Sequence, residues 1–481
     1  MTPLSIQLNE RLGAVKALHG VNLGPIDRFW FLDFSEFYRR ARIPSVRTHD
    51  CQRYLLDAVD LHYLFPNPDA DPDDPRNYRF GTTDDYLRSI LDAGAEVYFR
   101  LGETFECPKA PRRTYVRPER WNARTLARVC TNIARHYNEG WAEGYHWKIR
   151  RWQFWNEPDN EWNAAPEKRT CWTGSPEEFY HYYGHVATAM KGHDASLTVG
   201  LGGFMFPSMV LPPDYDGEEV GFLAAASREN PQQVKENPWR HLRPLLEAGP
   251  IDSFSWHRYT RSWERVANMA RMVRQCLDEN GLVHAENHLT EWHYMPKFED
   301  ERGVFDWFQA RWDRDECRIE HAEEVMGGPE GAAYVFGTLA KLQDAAVDIA
   351  HYYTGITTPG LGLFTVNGQP KKTFLAMEAF GGFLDGERVR VEGGEADRVI
   401  ALAVRHGDAV RVGIAHLRPS AREVTLCLQG AAAPLSMTAA HQLGPDGWSP
   451  LETDCRWENK TDIVTVPLHG SGVTLLDLAP L

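Results

Sequence analysis

Eight short runs rich in β-branched and aromatic residues recur along the first three-quarters of the chain, with longer helical segments between them. The runs fall at 18–23, 43–48, 96–102, 149–155, 197–202, 251–256, 288–292 and 349–354. Amphipathic segments lie between them at 83–93, 122–137, 176–193, 263–280 and 331–345. A parallel strand is reached by a crossover, and a helix is the usual crossover. Strand and helix alternating eight times predict an α/β fold, a (β/α)8 barrel. A doubly wound open sheet shares the alternation. The count of eight favours the barrel, and so does the lack of a convincing phosphate loop: Gly200-Leu-Gly-Gly203 is too short a match.

After about residue 385 the pattern changes. "RVIALAVRHGDAVRVGIAHL", "EVTLCLQG", "DIVTVPLHG" and "GVTLLDL" alternate apolar and polar residues between Gly and Pro turns. Period two of this kind predicts a small accessory β-sandwich. The expected division is a barrel over 15–384 and a sandwich over 385–481, with the N-terminal segment 1–14 adding a strand to the sandwich. Two connections are long. Residues 204–243 are rich in Pro and acids, and residues 294–330 carry Trp307 and Trp312. Connections of that length serve function or packing between subunits.

Composition narrows the partners. Of 481 residues, 43% are apolar and 12% aromatic, enough for a full core, and 16 Trp supply flat rings suited to stacking. A net charge of −15 argues against nucleic acid or an anionic membrane as the main partner. The eight Cys form no C-x-x-C pair, which suggests reduced thiols rather than a zinc ribbon or redox motif. "MTPLSIQLNERLG" has no apolar core of signal-peptide length, and no stretch approaches 18 apolar residues. A cytoplasmic protein is the expectation.

The chemistry-bearing residues gather at strand ends. In "RRWQFWNEPDNEWN", residues 150–163, an apolar run ends at Trp155 and Pro158 stops the strand, so Glu157 stands where strand becomes loop. By position alone the same rim receives His49 after the second strand, Asn156 and Glu157 after the fourth, His257 and Tyr259 after the sixth, and Glu291 near the end of the seventh. Strands four and seven lie nearly across the barrel. Two carboxylates facing each other over a pocket can attack and protonate a glycosidic bond. Any one Glu or His at a strand end is usually structural; the set is harder to assign to accident. A metal site built from His49, His257 and His293 is a weaker alternative, because these residues lack ligand spacing.

"WNEPD" at 155–159 followed by "LTEW" at 289–292 resembles the large glycosidase clan whose acid/base and nucleophile follow the fourth and seventh barrel strands. "HGVNLGP" at 19–25, "RTHD" at 47–50, "IDSFSWHRYT" at 251–260, "LTEWHY" and "GLGLFTVNGQPKKTFLAMEAF" at 360–380 resemble glycoside hydrolase family 39, the β-xylosidase and α-L-iduronidase family. The ordered series runs through nearly the whole chain. Two positions depart from the family pattern: Arg258 replaces a small residue, and Tyr353 stands where a Trp is common.

The resemblance implies a retaining exo-β-xylosidase with no cofactor and no metal, acting on a small oligosaccharide or glycoside. Glu291 would be the nucleophile and Glu157 the acid/base. His49, Asn156, His257, Tyr259, Trp292 and Tyr353 would bind the sugar. Retention requires carboxyl groups about 5–5.5 Å apart. Arg258, one residue out of phase with His257 and Tyr259, should point to the surrounding helices. An arabinoside or another neutral sugar, or an iduronide with its ring carboxylate, is an alternative substrate, and a non-catalytic glycan-binding barrel is an alternative of another class.

Overall fold

A computed structural model describes residues 2–27, 31–49, 58–104, 117–159, 162, 169–205 and 242–481. Eight parallel strands close into a barrel: β1 Gly20–Asn22, β2 Ser45–Arg47, β3 Glu96–Leu101, β4 Arg151–Phe154, β5 Thr198–Phe204, β6 Ser253–Thr260, β7 Glu286–Tyr294 and β8 Ile349–Tyr352. The pairing of β8 with β1, His351 opposite Gly20 and Tyr352 opposite Val21, completes the ring. An open doubly wound sheet would leave those edges apart, so the barrel expectation holds.

Local signals explain the surrounding helices. Ser175 and Glu178 form a reciprocal capping box at the start of Pro176–His193. Asn122 accepts from the N–H groups of Arg124 and Thr125 at the start of Ala123–Glu139, and Gly140, at φ +76°, ends it. Leu126, Val129, Cys130 and Ile133 of that helix are buried against the barrel.

The barrel interior is unusually polar. Tyr98 and His288 meet at 3.0 Å, and Ser45 and His351 at 2.9 Å. Above them Arg47, Gln153, Asn22 and Ser255 are fully buried and mutually hydrogen-bonded. Buried polar groups survive only when so paired. This layer forms the floor under the strand ends.

The glycines around 200–203 answer to packing. A Cβ on Gly203 would lie 1.8 Å from Nε2 of His257, and one on Gly202 2.2 Å from the carbonyl oxygen of Trp155. Their missing side chains make room for the end of β4 and for a β6 histidine.

A ten-stranded sheet forms the second unit. The strand Thr2–Ala14 lies inside it, antiparallel to Glu387–Gly394 and parallel to Glu423–Gln429. Leu4, Ile6 and Leu8 are buried in its core with Val412, Ile414, Leu426, Val464 and Leu476. Asp397 joins this unit to the barrel, accepting from the Ser262 hydroxyl at 2.6 Å and the Glu264 N–H at 3.1 Å, at the start of helix Trp263–Glu279. Arg418 reaches Glu330 at 2.6 Å, at the start of helix Pro329–Leu342.

Most of connection 204–243 lies outside the described residues. Connection 294–330 folds into a hairpin, Phe298–Asp300 with Gly303–Phe305, and two helices, Trp307–Asp313 and Glu316–Gly327. Arg318 clamps the hairpin through Asp300. Six described cysteines are free, and Cys51 and Cys107 lie outside the described residues. No described helix is long and apolar enough to cross a membrane.

Ile6 is fully buried in the sheet domain's core. Ile6→Ala should destabilise the protein by about 2–5 kcal/mol, read as a lower urea midpoint. An unchanged midpoint would show that the strand adds nothing to stability.

Candidate active site

The C-terminal ends of β2, β4, β6 and β7 converge. Each side chain there is aimed by its strand. On β7 the pairing with β6 shifts by one residue between Leu289 and Glu291. A bulge of this kind re-aims side chains. It turns Thr290 and Glu291 both toward the centre, and Glu291 sits opposite His257. At the end of β4 the backbone takes left-handed values, φ +71° at Trp155 and +43° at Glu157. Such residues cost of order 1–3 kcal/mol each and persist only where surrounding bonds hold them. The Trp155 N–H donates to the Leu101 carbonyl at 2.6 Å, and the Glu157 N–H to the Gly203 carbonyl at 3.2 Å.

Glu291 is nearly buried, its side chain 5% exposed. Its Oε1 accepts from Arg47 Nη1 at 2.9 Å and lies 3.2 Å from His49 Nε2. Its Oε2 accepts from the Tyr259 hydroxyl at 2.7 Å. Both oxygens of Glu291 therefore have hydrogen-bond donors. Burial, reinforced by the Glu291 charge, keeps the Tyr259 phenol protonated far above its ordinary range, so it remains a donor.

Glu157 has a different environment. Its side chain is 17% exposed, and Oε1 lies 2.7 Å from His257 Nδ1. The same nitrogen is 3.5 Å from Glu291 Oε2, and His257 Nε2 is 3.1 Å from the Thr290 hydroxyl. Burial lowers His257 to about 3; Glu291 opposes that and Arg47 adds to it. The ring between the two acids is therefore neutral at physiological pH. One oxygen from each acid and a His257 nitrogen all lie within 4.8 Å of one another.

Arg47 links the cluster. Fully buried, it donates to Gln153 at 2.6 Å, Asn22 at 2.9 Å, Glu291 at 2.9 Å and Asn156 Oδ1 at 2.6 Å. It is not among the site residues expected from the sequence. Its signal was a lone Arg on a short strand, "SVRTHD", whose phase points it into the barrel. Thr290 was missed as well, because strict alternation would turn it away from Glu291.

Among the expected sugar-binding residues, the structure gathers His49, Asn156, His257, Tyr259 and Tyr353. The Tyr353 ring lies 6.0 Å from that of His49 and 6.3 Å from that of Tyr259. Trp292 is elsewhere. It has no exposed surface, and its ring packs on Tyr352 and on Tyr334 of helix Pro329–Leu342. The physical reason is that β7 continues to Tyr294, so Trp292 alternates outward rather than lying in a rim loop. Arg258 lies opposite Trp292, is 1% exposed, and acts electrostatically on Tyr334, so it too faces the helices. His293 does not join His49 and His257: its Nε2 meets the Tyr352 hydroxyl at 2.6 Å and its Nδ1 the Tyr294 carbonyl at 2.7 Å. The three-histidine metal set is not assembled.

Solved glycosidase structures superpose on this fold over nearly their whole length. A glucosidase from Croceicoccus marinus superposes with a TM-score of 0.71 and 22% identity, covering 100% of this chain and 99% of its own. A GH39 enzyme from Xanthomonas axonopodis pv. citri has a TM-score of 0.61 and 13% identity over 100% of this chain and 98% of that one. A monomeric β-xylosidase from Caulobacter crescentus CB15 has a TM-score of 0.62 and 13% identity over 99% of both chains. No protein-family model matches the sequence. No curated protein matches it in sequence.

Two outcomes follow for stability. Arg47→Met strands a buried carboxylate and should cost about 3–5 kcal/mol by denaturant unfolding, and adding Glu291→Gln should recover part of that loss. A double variant no more stable than Arg47→Met would contradict the pairing. Burial also lowers His293 to about 3, and His19 and His416 to about 4. With His257 these bind protons in the unfolded chain, below about pH 6.5, before they do so in the native one. Stability should therefore fall as pH drops from about 6.5 toward 4, with up to about 1.4 kcal/mol per unit from each histidine. A denaturation midpoint flat over that range would refute it.

Proposed function

We propose that this protein is a retaining glycoside hydrolase in which Glu291 is the nucleophile and Glu157 the acid/base. The observation that carries the reading is the close approach of the two carboxyl groups, with oxygens within 4.8 Å. Carboxyl groups stand about 5–5.5 Å apart in double displacement and about 6.5–9.5 Å apart where an inverting reaction leaves room for water, and oxygens this near fit the shorter spacing.

The environments suit distinct roles. Glu291, held by Arg47 and Tyr259, attacks the anomeric carbon as a carboxylate. Glu157, on the more open side, gives its proton to the departing oxygen and later takes one from water. Neutral His257 can follow both states. With Nδ1 bare it accepts from protonated Glu157 while Nε2–H donates to Thr290. With Nδ1 protonated it donates to the Glu157 carboxylate and accepts from Thr290. Arg47 occupies Asn156 Oδ1, so Asn156 meets a sugar 2-hydroxyl with its amide N–H groups, a contact that tightens as charge develops on the ring.

The favoured substrate is a neutral β-xyloside cleaved from the end of a xylo-oligosaccharide. Arg258 faces the helices and Arg47 is committed to Glu291 and Asn156, so neither supplies a cation for a ring carboxylate; this weighs against an iduronide. A β-glucoside is the second reading, supported by the resemblance to a glucosidase at a TM-score of 0.71.

Glu291→Ala should lower turnover of a nitrophenyl glycoside by about 10⁴-fold or more. Azide should restore turnover with an inverted glycosyl azide, while the parent enzyme releases sugar of retained configuration by NMR. Intact turnover in Glu291→Ala would remove the nucleophile assignment. A panel of nitrophenyl xyloside, glucoside, arabinoside and iduronide ranks the sugars, and negligible xyloside cleavage would remove the first choice.

A further inference from the structure

Apolar surface concentrates on one side of the barrel mouth. Among the described residues the exposed large hydrophobics include Phe31, Val304, Trp312 and Val366. These four belong to the connections after β1, β7 and β8, which are neighbours in the barrel and open on the same C-terminal face as Glu157 and Glu291. Trp312 is the largest of them and is 59% exposed. Leaving an indole in water forfeits burial energy that the fold could otherwise use.

Trp312 is also joined to the site by rings. It lies four residues after Phe308 on helix Trp307–Asp313, so both occupy one helix face, with centroids 6.5 Å apart. Phe308 meets the Tyr259 ring edge-on at 6.0 Å. Tyr259 in turn donates to Glu291 Oε2 at 2.7 Å. The helix is anchored on its other face: Trp307 and Ala310 are buried, the Trp307 indole N–H donates to Glu323 at 3.3 Å, and a Cβ on Gly360 would fall 2.3 Å from that nitrogen. Asp306 caps it, accepting from the Gln309 N–H at 2.9 Å. The exposed indole is thus held in place, within reach of a short oligosaccharide whose terminal unit sits between the two acids.

We infer that Phe308 and Trp312 form a leaving-group subsite, on which the apolar face of a sugar beyond the scissile bond stacks. The inference rests on the glycosidase reading and on exo action: with the terminal sugar in the pocket between the acids, every further sugar of the substrate belongs to the part that departs. Continuity of the rings with the nucleophile's own hydrogen-bond partner favours a substrate over a second copy of the chain as occupant.

The test compares Trp312→Ala with the parent on xylotriose and on xylosyl fluoride, and on cellotriose and glucosyl fluoride. The fluorides have no departing sugar to stack. The ratio of kcat/KM for the trisaccharide to that for the matching fluoride should fall about tenfold, and Trp312→Phe should recover most of it. In parallel, calorimetry on Glu291→Gln should show the trisaccharide Kd rising about tenfold when Trp312→Ala is added. Unchanged ratios and an unchanged Kd would overturn the subsite. A Trp312→Ala change in sedimentation from oligomer to monomer would also overturn it, by assigning the face to a copy of the chain. If the parent cleaves neither fluoride nor trisaccharide, the glycosidase reading fails, and the calorimetric arm still decides whether Trp312 binds sugar.

Discussion

A single guanidinium organises the centre of this molecule. Arg47 sits inside the barrel with no exposed surface and bonds residues from β1, β4 and β7 and the turn after β4. A buried cation of this kind is tolerated only when a carboxylate and several acceptors surround it. Glu291 supplies the charge, and Asn22, Gln153 and Asn156 supply the remaining acceptors. Because those partners come from around the ring, one residue fixes the relative height of strands that are distant in sequence. The spacing between Glu157 and Glu291 depends on that arrangement, since one of the two acids is bound to Arg47 directly and the other adjoins Asn156.

Electrostatic contrast follows from the same layer. The carboxylate of Glu291 lies among permanent donors, whereas Glu157 faces a histidine that burial holds neutral. A neutral imidazole changes which nitrogen carries its proton without changing charge. In the proposed reaction the partner of Glu157 can therefore accommodate both protonation states without moving charge through a low-dielectric interior. The left-handed turn at Trp155 and Glu157 and the bulge at Thr290 are the backbone features that bring the acids and the histidine together.

Much of the fold was legible because it rests on local signals. The eight strand runs sit where residue type and period put them, and helices Ala123–Glu139 and Pro176–His193 fall on the amphipathic segments 122–137 and 176–193. Glu157 and Glu291 were legible as candidates because barrel strands deliver their C-terminal ends to one rim. Arg47 and Thr290 were not. A buried Arg contradicts the usual outward bias of charge, and a bulge breaks the alternation from which facing is inferred. Trp292 was misplaced for a related reason: where a strand ends decides whether its last aromatics line a pocket or a helix interface, and strand ends are weakly encoded. The gathering of Phe308 and Trp312 near Tyr259 depends on a tertiary contact between a long connection and the rim, which no period in the sequence announces.

The position of Thr2–Ala14 inside the terminal sheet bears on how the molecule is made. This strand precedes the barrel in the sequence and is apolar on one side, yet both of its neighbours are encoded more than 370 residues later. It must wait through synthesis of the entire barrel with its edges unsatisfied, so this strand, more than the barrel, is where nascent chains are open to mispairing or chaperone capture. For the same reason the sheet is no detachable C-terminal module: a chain ended after the barrel would keep one orphan strand and lose everything that covers it.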